Sequence, residues 1–147
     1  MISVKTRIDF VTNSSSSSYI IAYKQMPEID KETLEKYPFL AKFNEMIKNL
    51  ITSVSENYSY DESVDVIENI KDLEDYIFDQ YGYGDLDTLD KLFAEDDWVK
   101  ELYNELKGYL NKGYTVVLKD VSYYNDGVRE MLWSLNDGEN IIVKSFN

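Results

Sequence analysis

The 147 residues suit one compact domain, and 44% hydrophobic against 29% charged residues is a globular composition. Cysteine and histidine are both absent, which excludes disulfides, thiolate sites and every histidine-dependent base, metal ligand or triad. Twenty-eight acidic against 15 basic residues leave a net charge of −13.

Val4 to Val11 reads as a strand and Tyr19-Ile20-Ile21-Ala22-Tyr23 as a short buried one. Thr12, Asn13 and the serine run Ser14, Ser15, Ser16, Ser17 and Ser18 lie between them as a loop, so a hairpin is expected. Pro27 breaks the chain, Asp30 is placed to cap a short helix through Lys36, and Pro38 suits the first turn of a longer one. Phe39, Phe43, Met46, Ile47, Leu50, Ile51 and Val54 carry that helix at helical spacing, up to a break at 57–60.

From Asp61 to Tyr81 the spacing predicts a single helix, with Val64, Ile67, Ile70, Leu73 and Ile77 inward and Gly82 and Gly84 ending it. Leu86, Leu89, Leu92 and Phe93 predict a short helix, and Trp98 to Leu110 another that Gly113 closes. Tyr114 to Leu118 and Ile141 to Val143 read as strands. Between them, Asn125-Asp126-Gly127 and Asn136-Asp137-Gly138 are hairpin cues. Val128, Met131, Leu132 and Leu135 nevertheless stand at i, i+3, i+4 and i+7, which favours a short helix capped near Asp126. Trp98 and Trp133 are expected in the core.

Strands at both ends and helices between them predict an α+β fold in one domain over residues 1–147. A small sheet is expected from the N-terminal hairpin and the C-terminal strands, packed by the central helices. No apolar run approaches the ~20 residues that a membrane span requires, and the N-terminus carries no signal-peptide core. A soluble, cytoplasmic protein is the expectation.

The charge is unevenly placed. Residues 1–60 hold seven basic and seven acidic residues, and residues 106–147 five of each, so both segments sum to zero. Residues 61–105 hold three lysines and 16 carboxylates, which is the whole net charge. Such a surplus repels nucleic acid and anionic membrane and favours a basic partner.

Within that segment Asp61, Asp65, Glu68, Asp72, Asp75 and Asp79 fall at steps of 4, 3, 4, 3 and 4. On a helix they share an arc of roughly 80° over ~27 Å. Lys71 is the single lysine beside them, and like charges at this spacing cost a helix a few tenths of a kcal/mol each. A face that imitates nucleic-acid phosphates and fills a basic groove is one reading of the row. A solvated face that serves solubility is the other. Tyr76, Tyr81 and Tyr83 nearby fit either an interface or a core edge. Asp85 and Asp87 open like a calcium loop, but Asp90 stands where that loop needs glycine, and no metal site is expected.

The serine run, with Asn13 before it, is either an anion-cradling loop or a turn that satisfies its own backbone. No base is paired with it in the sequence, so no catalytic serine is assigned. The stretch Arg7-Ile8-Asp9-Phe10-Val11-Thr12-Asn13, the five serines and Tyr19 resembles an N-terminal signature of small uncharacterised bacterial and phage proteins of Gram-positive hosts. The resemblance covers about 20 residues, implies a phage or mobile-element setting, and carries no catalytic residues or activity with it.

The sequence therefore predicts a non-enzymatic acidic interaction protein without a cofactor. Its expected partner is a basic host or phage protein, met through the acidic face, with inhibition by nucleic-acid mimicry as the sharper form. A phage structural component and a carboxylate-dependent, metal-using enzyme are the alternatives.

Overall fold

Ile20 and Ala22 point to one side of their strand, Tyr19 and Ile21 to the other, and all four are buried. A strand with two buried sides requires a sheet covered on both faces. The computed structural model, which describes residues 16–55 and 62–145, shows how this is met. Strand β1 (Ser16–Tyr23) is followed by helix α1 (Lys31–Lys36), a 3-10 turn (Pro38–Leu40), helix α2 (Ala41–Thr52) and strand β2 (Ser63–Ile67). Helices α3 (Ile70–Tyr81), α4 (Leu89–Glu95) and α5 (Asp97–Asn111) come next, and then β3 (Thr115–Ser122), α6 (Asp126–Leu135) and β4 (Ile141–Ser145).

The four strands form one antiparallel sheet in the order β2-β3-β1-β4. On the first face Ile20, Ala22, Ile67, Val116 and Leu118 pack with Leu73, Ile77, Leu102 and Leu106 of α3 and α5. On the second, Tyr19, Ile21, Val117, Val121 and Val143 pack with Ile51 of α2 and Leu132 of α6. Each fully buried aliphatic side chain of this kind contributes about 1.5–3 kcal/mol. The α+β arrangement, the strand at Tyr19–Tyr23, the C-terminal strands and the helix at 126–135 are as the sequence predicts. Among the described residues no helix is long and apolar enough to cross a membrane.

Two expectations fail, both for reasons of strand geometry. Ser16, Ser17 and Ser18 are the first residues of β1 rather than a loop, and Ser16 and Ser18 are buried. From Tyr19 to Tyr23, β1 is paired with β3 on one side and β4 on the other. Val4–Val11, Asn13, Ser14 and Ser15 lie outside the described residues.

The helix expected over 61–81 is instead a strand, a cap and a helix. Val64, Val66 and Ile67 are β-branched and fit a pleated strand better than a helical turn. Val64 and Ile67, three apart, imitate a helical stripe, yet they pack on opposite faces of the sheet. Asn69 then takes extended backbone angles, and its Oδ1 accepts the N–H of Asp72 at 2.9 Å, which starts α3 one residue later.

On α2 only Ile51 is fully buried, and Phe39, Phe43 and Met46 face outward. Trp133 is 44% exposed and meets Tyr19 edge-on at 5.7 Å instead of entering the core.

Candidate functional site

Residues directly opposite one another in a sheet share a face. The register therefore sets Ser18, Asp120 and Ser63 in one row across β1, β3 and β2, and Ile20, Leu118 and Asp65 in the next. Ser18 Oγ donates to Asp120 Oδ1 at 2.5 Å and Ser63 Oγ to Asp120 Oδ2 at 2.9 Å. The hydroxyl of Ser18 is thus spent on a carboxylate, which would repel an anion. The turn-loop reading is corrected at Ser16–Ser18, which are strand, and at Ser18 the hydroxyl is not open to an anion.

The six carboxylates of the expected helical row are dispersed. Asp61 lies outside the described residues, Asp65 is half-buried in β2, and Glu68 is exposed in the connection to α3. Asp72, Asp75 and Asp79 are on α3, with Asp72 half-buried and the other two exposed. A regular phosphate-like ladder over a single helix is therefore not formed.

The fold nevertheless regroups four of the six. Asp65, Val66 and Ile67 of β2 and Asp72, Asp75, Tyr76 and Asp79 of α3 line one open cleft of about 370 Å³. Asp72 also has a structural task, since its Oδ2 accepts the N–H of Glu68 at 3.1 Å at the positive end of the helix. Asp75 meets Lys71 at 3.4 Å, an exposed pair worth little.

Burial raises the Asp65 carboxyl above its usual range, and the charges of Asp79 and Asp120 raise it further. The phenol of Tyr76 is pushed well above its ordinary value, chiefly by burial and then by Tyr81, with Asp65 and Asp120 adding to it. Like charges crowd the inner wall of this cleft. Among the described residues no three carboxylates converge in a way that could hold a metal ion.

The charge count misplaces two carboxylates. Asp120 comes from a segment whose charge sums to zero and is brought beside Asp65 only by strand pairing. Asp96, counted with the acidic segment, is a buried cap: Oδ1 accepts the N–H groups of Trp98 at 2.9 Å and Val99 at 3.3 Å. Earlier in the chain, Asp87 pairs with Lys91 at 2.9 Å, and that contact holds its carboxyl below the usual range.

A second polar group sits on the other face. Lys119 is 2% exposed, and its Nζ donates to the carbonyl of Ser53. Burial lowers its pKa, with Glu62 opposing. Glu62 Oε1 accepts the N–H of Ser55 at 3.0 Å, and Oε2 accepts the Ser122 N–H at 2.9 Å and Asn125 Nδ2 at 3.2 Å. Burial would raise this carboxyl, but those donors and Lys119 more than offset it and hold it below its usual range. The group joins the segment after α2, the end of β3 and the start of α6, and all its partners are internal.

The chain matches no protein-family model, no curated protein and no solved structure.

Proposed function

We propose that this protein is a non-enzymatic binding module that engages a basic partner protein through the cleft between β2 and α3. One observation carries the reading: Asp65, Asp72, Asp75 and Asp79 line a single cleft, whose described lining holds no lysine or arginine, and of the four only Asp75 has an ion pair among the described residues, an exposed one with Lys71. Fixed like charges in a half-desolvated groove repel each other, and an incoming cation relieves that repulsion. A basic host protein met in a phage or mobile-element setting fits this charge and the N-terminal signature. Nucleic-acid mimicry in the form of one long helical row loses its support with the break at Glu68. Inhibition of a basic protein by a compact acidic cleft remains the sharper form of the proposal.

The test compares capture from a host-type lysate by the wild type and by the triple variant Asp65→Asn, Asp75→Asn, Asp79→Asn, which spares the capping role of Asp72. A basic protein held by the wild type, released by salt and lost by the variant is the expected result. Equal recovery by both overturns the reading.

A further inference from the structure

An edge strand directs every second N–H and C=O out of the sheet, where another strand can bond to them. Among the described residues β2 is outermost in the sheet and pairs only with β3, without a bulge over its five residues. Successive side chains of a strand point to opposite faces. A cleft lined by Asp65, Val66 and Ile67 in succession is not confined to one face of the strand and reaches toward its backbone edge. Neither lysine nor proline, two common guards of an open edge, occurs in Ser63–Ile67.

We propose that the open edge of β2 takes an extended, lysine- or arginine-bearing segment of the partner as a fifth strand, its cations over Asp65, Asp72, Asp75 and Asp79. The proposal rests on the acidic-cleft reading and adds how the partner is held. Backbone hydrogen bonds supply the docking, and alternate side chains supply the selection.

On the first face the added strand lies against the carboxylates of β2 and α3. On the second it lies beside Val66, which is 41% exposed and offers an apolar contact. The geometry thus selects a segment in which basic and apolar residues alternate. A second copy of this chain is disfavoured at the same edge, because pairing β2 with another β2 brings Asp65 beside like charge. The inward-facing carboxylate guards the edge against its own kind and leaves it open to cations.

The experiment uses the full chain and an eight-residue peptide of alternating lysine and valine. Its control is the same peptide with the internal backbone amides N-methylated, which keeps charge and side chains but cannot donate to a strand. Amide hydrogen exchange is followed by NMR across Ser63–Ile67. The expected result is at least tenfold slower exchange of the outward β2 amides with the first peptide and no slowing with the second. The substitution Val66→Lys should weaken binding of the first peptide at least tenfold while the melting temperature stays within a few degrees.

If both peptides bind alike, with salt-sensitive shifts at Asp65, Asp75 and Asp79 and no β2 protection, strand addition is overturned and the acidic-cleft reading survives. Binding of neither peptide at low salt overturns both. Concentration-dependent protection of β2 without any peptide assigns the edge to a second copy and also overturns the proposal.

Discussion

Ser18 Oγ donates to Asp120 Oδ1 at 2.5 Å between directly opposed residues of β1 and β3, one row from Ile20, Leu118 and Asp65 on the same face. Asp120 is the hub, because Ser63 binds its other oxygen from β2. Three strands are thus joined by side chains as well as by their backbone ladders.

This arrangement sets an order among three substitutions. Ser18→Ala removes a hydrogen bond to a charged acceptor and should cost about 1.5 kcal/mol. Asp120→Ala should cost more, about 2–3 kcal/mol, because it leaves the Ser18 hydroxyl, 3% exposed, without its partner. Ser63→Ala, on an exposed residue, should stay within about 0.5 kcal/mol. Urea unfolding of the three variants checks the ranking, and a neutral Ser18→Ala would refute the role given to the hydroxyl.

The Glu62–Lys119 group yields a larger effect. Glu62→Ala leaves the Lys119 ammonium buried with only the Ser53 carbonyl and strips the acceptor from Ser55, Ser122 and Asn125. A loss of about 3–5 kcal/mol is expected, because three donors lose one acceptor and a buried ammonium loses its nearby counter-charge. The folded pKa of Glu62 lies below its unfolded value. Its contribution is therefore present above the unfolded value near 4.5 and is lost as pH falls through the lower folded value. The wild type should lose stability over that acid range, and Glu62→Gln should flatten the loss. Melting curves at stepped pH decide between parallel and converging profiles.

Asp96 holds the junction of two helices. It ends α4 and caps α5 through the N–H groups of Trp98 and Val99. Asp96→Ala should cost about 1–2 kcal/mol and Asp96→Asn clearly less, since an amide oxygen can still accept. Chemical denaturation monitored by tryptophan fluorescence measures both. Equal losses would place the worth of Asp96 in its charge rather than in its cap.

The elements that were legible in the sequence are those whose apolar residues obey a single period. Trp98 to Leu110 repeats at helical spacing and forms α5, and the β-branched run Tyr114 to Leu118 begins β3. The 61–81 stretch misled because Val64 and Ile67 satisfy both a helical step and a strand buried on two faces. Asn69 was the local sign of a boundary, as an Asx residue three before Asp72, and it lay inside an otherwise unbroken pattern. The site was half legible. Carboxylate spacing found Asp65, Asp72, Asp75 and Asp79, whereas Asp120, 55 residues beyond Asp65, enters only through the β2–β3 register. Long-range pairing leaves no periodic trace in a single chain.

Asp65 provides the last test, because its sign is opposite to that of Glu62. Burial first, then Asp79 and Asp120, raise its folded pKa above the unfolded value of 3.8. The repulsion is absent while the carboxyl is protonated and appears as pH rises through the raised value. Asp65→Asn should therefore stabilise the domain at neutral pH by at least a few tenths of a kcal/mol, the size of a like-charge contact. The gain should shrink as pH falls through the raised folded value, where the wild-type carboxyl becomes neutral as well. It should also shrink in 1 M salt, where the Debye length falls to about 3 Å. Thermal melts of wild type and variant at two pH values and two salt concentrations supply the comparison. A variant less stable than the wild type at neutral pH and low salt would show that Asp65 is compensated in the free protein. The cleft would then have no unmet charge with which to recruit a cation.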